Sequence, residues 1–174
     1  NSGTTLLAEL MGQHESISAL PTEGQFLTDQ LVKDYDIGVP RMWTLREDIF
    51  CLKEDDIGPD ITRLKKEWAI RLDLSKPFLL EKSPPNSGKT RWLQENFENS
   101  YFIGLVRNPY AVAEGIRRKA EPHHLVNGWP LDLCARQWAR SNEILVRDSK
   151  HLEKFLWVKY EDLADNTQDC LNDI

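Results

Sequence analysis

The sequence predicts an α/β fold in which a parallel β-sheet is flanked by helices on both faces. Short apolar runs alternate with helical patterns along the chain, and each run is followed by a polar or charged loop. The 174 residues, of which 40% are hydrophobic and 29% charged, are enough to build one globular core. We therefore expect a single domain over residues 1–174.

Four apolar runs are expected to form the strands, and they cover residues 17–20, 78–80, 101–106 and 155–158. The first run follows an opening helix that carries an apolar stripe of Leu6, Leu7, Leu10 and Met11. Residues 40–74 have the pattern of helices inserted between strands, and Gly58-Pro59 divides them in two. This helical insert spans about residues 35–75. Further helices are expected at about 88–97, after Pro109, and over 131–149, where Cys134 takes an apolar position.

Composition excludes several functional classes. The net charge of −6 argues against a general binder of nucleic acid or of anionic membranes. Cys51, Cys134 and Cys170 are odd in number and show no metal-ligand spacing, which favours a reducing, cytoplasmic location and no metal site. No apolar stretch approaches the roughly 20 residues that span a bilayer, so no membrane segment is predicted in this chain.

The opening segment, Ser2-Gly3-Thr4-Thr5, has the composition of a phosphate-binding loop that leads into a helix. Its backbone N–H groups and hydroxyls would face an anion at the positive end of the helix dipole. Gly3 permits the positive φ that such a loop needs. An ordinary Ser/Thr helix cap remains the alternative.

Charged and polar residues follow the predicted strands at one edge of the sheet. The carboxyl ends of parallel strands all lie at that edge, which is where such sheets bind ligands. The residues there are Thr22-Glu23, Glu81-Lys82, Arg107-Asn108 and Lys159-Tyr160. Arg107 precedes Pro109, which starts the next helix, so its guanidinium can hold a phosphate through two hydrogen bonds. Arg118 or Lys119, about three turns later, either adds charge to the same anion or complements the helix dipole.

In this order, the opening loop, Lys82, the Arg107-Asn108-Pro109 turn and Tyr160-Glu161-Asp162-Leu163 resemble the P-loop-type sulfotransferases. These enzymes transfer a sulfuryl group from 3′-phosphoadenosine 5′-phosphosulfate (PAPS) to a hydroxyl group. Residues 79–120 are similar to the branch that contains the protein-tyrosine sulfotransferases and their bacterial relatives.

The resemblance implies a donor site. Its 5′-phosphosulfate would be wrapped by Ser2, Gly3, Thr4 and Thr5. Arg107 would bind the 3′-phosphate and Tyr160 the nucleoside, while Gly115 stands at a donor-binding position that is serine in the family. Asn1 stands where the family has lysine or arginine. The family's first strand and its late glycine-rich basic segment are both missing, so the resemblance implies a domain truncated at both ends.

The resemblance also implies the catalytic residues. Lys82 would stabilise the charge on the leaving phosphate. The small-molecule branch has a histidine base two residues later, but Pro84 stands there, so Glu23 would be the base, as in the tyrosine branch. The alternatives are a Glu23 that only complements a helix dipole and a Lys82 that pairs with Glu81.

Two other functions remain open. The first is a P-loop kinase or NTPase, because residues 83–90 end in Gly88-Lys89-Thr90. Pro84 and Pro85 lack the N–H groups that such a loop offers to phosphate, and Lys89 is interpreted as a surface residue at a helix start. The second is a nucleotide-binding protein of the same fold without activity.

The acceptor is a hydroxyl compound: a small molecule, a carbohydrate or a peptide tyrosine. Selectivity is expected to lie in the helical insert and in the loop 121–130, where His123, His124 and Trp129 are candidate contacts.

Overall fold

The computed structural model describes residues 2–119 and 128–174. Its strands are β1 (Ile17–Ala19), β2 (Phe78–Leu80), β3 (Phe102–Val106) and β4 (Phe155–Lys159). Its α-helices are α1 (Thr4–Met11), α2 (Glu47–Phe50), α3 (Ile61–Ala69), α4 (Thr90–Asn96), α5 (Pro109–Lys119), α6 (Leu131–Ser149), α7 (Tyr160–Asp165) and α8 (Thr167–Asn172). Short 3₁₀ helices cover Gly24–Leu27, Trp43–Arg46 and Pro84–Gly88.

The strands pair in parallel, as predicted, with helices packed around them. Ile17 lies opposite Phe78 in the pair β1–β2, and Phe102 lies opposite Phe155 in the pair β3–β4. The predicted single sheet differs in one respect: within residues 2–119 and 128–174, no hydrogen bonds join the two pairs. Strand pairing requires a spacing of about 4.8 Å. Leu80 of β2 and Gly104 of β3 instead both line a large cavity.

The core is divided among the layers on the two sides of the strands. Leu64, Trp68 and Trp92 are buried beside β1 and β2, whereas Leu7, Val158 and Leu163 join α1 to β4 and α7. Helices α5 and α6 pack on each other through a third cluster that includes Cys134, which is fully buried as expected. These contacts fix the helices that follow each strand.

The predicted break in the helical insert is confirmed. No helix covers Gly58-Pro59, and α3 begins directly after Asp60. The Asp60 side chain caps α3 by accepting a hydrogen bond from the Arg63 N–H at 3.0 Å. None of the helices in the described residues has the length and apolar character needed to cross a membrane.

Candidate active site

The opening loop has the backbone geometry of an anion site. Gly3 occupies the N-cap position of α1 with φ 96°, a left-handed conformation that favours glycine. Among the described residues no side chain caps this helix, so the structure does not contain an ordinary Ser/Thr cap there. Ser2 and Thr4 line the large cavity next to the loop. The first N–H groups of an eight-residue helix are therefore placed to bind an anion there.

Three residues from distant parts of the chain form a stack beside this loop. A Cβ atom on Gly3 would lie 2.1 Å from Cδ2 of Tyr160, so the tyrosine ring packs directly on the glycine backbone. On the ring of Tyr160 lies the Arg107 guanidinium, whose carbon is 3.9 Å from the ring centre. The residues predicted to bind the phosphates and nucleoside of a donor thus lie together.

The turn after β3 is fixed from both sides. The Asn108 side chain accepts a hydrogen bond from the Tyr110 N–H at 3.0 Å and so caps α5. The Glu161 carboxylate accepts the Asn108 N–H at 2.9 Å, and that bond, followed by the positive charge of Arg107, lowers the pKa of Glu161. Trp138 donates its indole N–H to the Arg107 carbonyl at 3.0 Å. The backbone that carries Arg107 is therefore held by α6 and α7.

Lys82 connects the opening loop to a carboxylate. Its Nζ donates to Thr5 Oγ1 at 3.2 Å and to Glu23 Oε1 at 3.1 Å. The Lys82 and Glu23 side chains are 20% and 22% exposed, so water reaches this ion pair only partly. The carboxylate partner of Lys82 is Glu23, not its neighbour Glu81.

A second side chain holds the other oxygen of Glu23. Gln25, 3% exposed, donates from Nε2 to Glu23 Oε2 at 2.8 Å. Glu23 itself lies at the N-cap of the 3₁₀ helix Gly24–Leu27. Both carboxylate oxygens therefore point toward fixed donors, and the group faces the same cavity as Lys82 and Thr4. The carboxylate is therefore held in one orientation at the cavity wall.

The chain's relation to known proteins agrees with this geometry. The model of the Sulfotransferase family matches residues 1–174. The chain belongs to the sulfotransferase family. A solved structure, the sulfotransferase domain from the curacin biosynthetic pathway, matches with a TM-score of 0.60 and 24% sequence identity. The match covers 99% of this chain and 68% of that one, and it supports the fold. No curated protein gives a significant match.

The segment that resembles a Walker A loop has another structure in this sulfotransferase. Pro84–Gly88 forms a 3₁₀ helix, and Lys89 is 3% exposed, so the interpretation of Lys89 as a surface residue is wrong. Its Nζ lies 5.8 Å from the centre of the Phe50 ring. Burial lowers the pKa of Lys89 to about 8, against the opposing effect of the Glu81 carboxylate. The lysine is a buried structural residue.

Glu81 anchors the segment that carries Glu23. It accepts hydrogen bonds from the Gly24 N–H at 2.9 Å, from Ser83 Oγ at 2.5 Å and from Asn86 Nδ2. Burial raises the pKa of Glu81 in spite of these bonds. The two adjacent residues thus have different partners: Lys82 binds the Glu23 side chain, and Glu81 binds the Gly24 backbone.

The remaining predicted site residues lie farther along α5 or outside the description. Gly115 is half-buried within α5 and Lys119 is exposed at its last residue; neither lines the cavity that contains Glu23. Arg118 binds Glu114 at 2.7 Å. His123 and His124 lie outside the described residues. Trp129 packs against the α5–α6 cluster and donates its indole N–H to the Pro40 carbonyl at 2.9 Å.

Acceptor selectivity is expected in the helical insert, but the sequence pattern does not single out the residues that form one wall of the site. The cavity, about 1820 Å³, extends from the opening loop past Glu23 to Asp34, Tyr35 and Arg41. These three residues belong to a loop in the insert and have neither motif nor periodicity. Within the described residues, no group of three His, Cys, Asp or Glu side chains is placed to hold a metal ion.

Proposed function

We propose that this sulfotransferase moves the sulfuryl group of PAPS to the hydroxyl of a small molecule, a carbohydrate or a peptide tyrosine. The observation that carries the proposal is the position of Lys82. Its Nζ contacts Thr5 of the anion-binding loop and Glu23 of the cavity wall at once. A transferase of this kind needs such a cation between the leaving group of the donor and the base that serves the acceptor.

The residues at the donor end suit a nucleotide that carries phosphates on both sides of its ribose. The left-handed Gly3 and the start of α1 offer N–H groups to the 5′-phosphosulfate. Arg107 supplies a charge for the 3′-phosphate, and the Tyr160 ring, which packs against both Arg107 and Gly3, is assigned to the edge of the nucleoside. We also assign Ser2 and Thr4 to the phosphosulfate, and Gly115 and Lys119 to the outer part of the same site.

Two side chains carry the chemistry. PAPS supplies a sulfuryl group bonded through oxygen to a phosphate, so transfer requires in-line positioning and neutralised charge more than covalent help. Glu23 removes the proton of the acceptor hydroxyl as the new S–O bond forms. Lys82 and the N–H groups of the opening loop stabilise the charge that develops on the departing phosphate oxygen.

The first test is nucleotide choice. Calorimetry on the purified chain should show that 3′,5′-adenosine bisphosphate binds more tightly than AMP or ATP, and that Mg²⁺ is not required. A preference for ATP with Mg²⁺ would instead favour the alternative function, a P-loop kinase or NTPase.

The second test is transfer itself. Donor labelled in its sulfuryl group is incubated with a panel of phenols, primary alcohols and sugars, and label in the acceptor is counted. Exchange of the exposed carboxylate in Glu9→Gln provides the matched control, since Glu9 lies on α1 and does not line the cavity that contains Glu23. Bisphosphate binding without any transfer would identify a nucleotide-binding protein that lacks activity.

A further inference from the structure

The wall of the cavity opposite the donor loop is built around one buried carboxylate. Asp34 is 4% exposed and accepts hydrogen bonds from two backbone N–H groups, those of Arg41 at 2.5 Å and Tyr35 at 3.2 Å. The Val39 N–H also donates to the Asp34 carbonyl at 2.9 Å. The loop between Asp34 and Arg41 is therefore closed on itself and presents a fixed surface to the cavity.

Arg41 is held in a conformation that arginine rarely adopts. Its φ is 63°, in the left-handed region where a side chain crowds the backbone. Such strain persists only where surrounding contacts impose it, and it clusters at ligand-binding sites. Here Asp34 imposes it by binding the Arg41 backbone N–H.

The guanidinium of Arg41 forms no ion pair with the described residues, unlike several other arginines of the chain. Several other arginines of the chain bind carboxylates, as Arg63 binds Asp29 and Arg140 binds Glu47. Arg41 has no ion pair with the described residues, and its Nε is buried without a hydrogen-bond partner. A buried donor without a partner calls for an explanation, and an absent ligand is one.

A second unpartnered atom lies beside the base. Gln25 Oε1 is buried and accepts no hydrogen bond from the described residues, although Nε2 of the same amide is bound to Glu23. Both Gln25 and Arg41 line the cavity of Glu23. Glu23 and Asp34 are also close enough that the charge of Glu23 contributes to a raised pKa of Asp34, behind the larger effect of burial. The base and the arginine loop thus belong to one pocket.

We propose that the acceptor of this sulfotransferase is a hydroxyl compound that also carries an oxyanion, of which a carboxylate is the simplest form, and that Arg41 binds this anion while Gln25 Oε1 accepts a hydrogen bond from the acceptor. The inference rests on the proposed function and narrows its substrate class. A planar guanidinium binds a carboxylate through two parallel hydrogen bonds, which also orients the acceptor toward Glu23.

The test compares each acid with its methyl ester, which lacks the negative charge of the carboxylate and carries one additional methyl group. The pairs are 4-hydroxyphenylacetate with its methyl ester, and 6-hydroxyhexanoate with its methyl ester; 4-hydroxybenzylphosphonate tests whether a phosphonate replaces the carboxylate. Binding of each probe to the chain saturated with 3′,5′-adenosine bisphosphate is measured by ligand-observed NMR, and transfer from PAPS is measured in parallel. The acids should bind at least tenfold more tightly than the esters.

The informative variant is Arg41→Gly. Glycine accepts the positive φ, so the loop is expected to keep its shape and the protein to remain folded. The acid should then bind roughly tenfold or more weakly, with the ester and the bisphosphate unchanged. Asn99→Gly is the control for loss of a positive-φ side chain that lines the same cavity, because Asn99 (φ 57°) precedes β3, whereas Glu23 follows β1.

Two results would overturn the inference: equal binding of acid and ester by the unmodified chain, or an acid preference that survives in Arg41→Gly. Either can occur while bisphosphate binding and transfer to neutral hydroxyls are intact, and the proposed function then stands without this acceptor class. Loss of bisphosphate binding in the unmodified chain would instead count against the proposed function.

Discussion

Replacing Glu23 by glutamine is the most direct test of the assigned chemistry. Two donors, Lys82 Nζ at 3.1 Å and Gln25 Nε2 at 2.8 Å, bind the two oxygens of Glu23. An amide has one oxygen, so in Glu23→Gln its NH₂ group would face a donor. Gln25 can relieve this conflict by turning its own amide over, because its Oε1 has no hydrogen-bond partner among the described residues. The fold should therefore tolerate the change.

The two expected effects differ in size. The altered contact with Lys82 affects the free energy of unfolding by on the order of 1–2 kcal/mol, since the lysine keeps a hydrogen bond to the amide oxygen and one to Thr5. Removal of a general base slows turnover roughly 10²–10⁴-fold, which corresponds to about 3–5 kcal/mol in the activation barrier. The catalytic effect exceeds anything that the structural change explains.

Three measurements on the same preparation separate these effects. Urea unfolding gives the stability, calorimetry gives the affinity for 3′,5′-adenosine bisphosphate, and labelled PAPS with a saturating acceptor gives kcat. Only kcat should fall strongly in Glu23→Gln, and Glu9→Gln should leave all three near their starting values. A Glu23→Gln protein that is folded, binds the bisphosphate and turns over within a few-fold of the unmodified chain would show that Glu23 is not the base.

Three further predictions concern the donor site and the interior. Arg107→Ala should weaken the bisphosphate by roughly tenfold or more and AMP much less, as measured by calorimetry; equal losses would remove Arg107 from the 3′-phosphate. Gly3→Ala should weaken the bisphosphate and destabilise the fold, because the new Cβ would overlap the Tyr160 ring, and the stability loss should be smaller in the background of Tyr160→Ala; additive losses would contradict the packing described. Lys89, with a pKa lowered to about 8, gives up its proton in the folded state before the unfolded chain does, so the free energy of unfolding should rise from about pH 8 toward pH 10.5. Urea unfolding across that range should show a free energy of unfolding that depends less on pH in Lys89→Met. An equal pH dependence in the two proteins would mean that burial does not lower the pKa of Lys89.

The positions of the strands along the chain could be predicted because the sequence pattern of each strand is local. Each strand is an apolar run that stops at a charged or turn-forming residue, such as Lys82 after β2 or Arg107 before Pro109. Helix α6 begins directly after Pro130 and was predicted with its observed bounds, since a long periodic pattern fixes both ends. The two separate strand pairs could not be predicted, because pairing depends on what lies between strands and not on their own residues.

The burial of Lys89 and the Arg41 loop depend on contacts between distant residues. A lysine before a helix normally lies on the surface. Lys89 is buried here, where the charge of the Glu81 carboxylate and the ring of Phe50 both interact with its ammonium group. Arg41 owes its left-handed backbone to the carboxylate of Asp34, seven residues earlier. Neither contact leaves a period or a motif in the sequence, so these two features could not be predicted, although the insert that contains Arg41 could.

The Lys82 ammonium contacts both Thr5 and Glu23, so in an enzyme that works as proposed the donor and the acceptor would not bind independently. In the resting chain Lys82 neutralises Glu23, and an acceptor that arrived first would meet a base already engaged in an ion pair. An anion on the opening loop competes for the same Nζ and so releases the carboxylate for the acceptor. Thermodynamic linkage makes this coupling reciprocal: whatever holds Lys82 on one side weakens its hold on the other. In an enzyme that works as proposed, each substrate would therefore bind more tightly when the other is already bound.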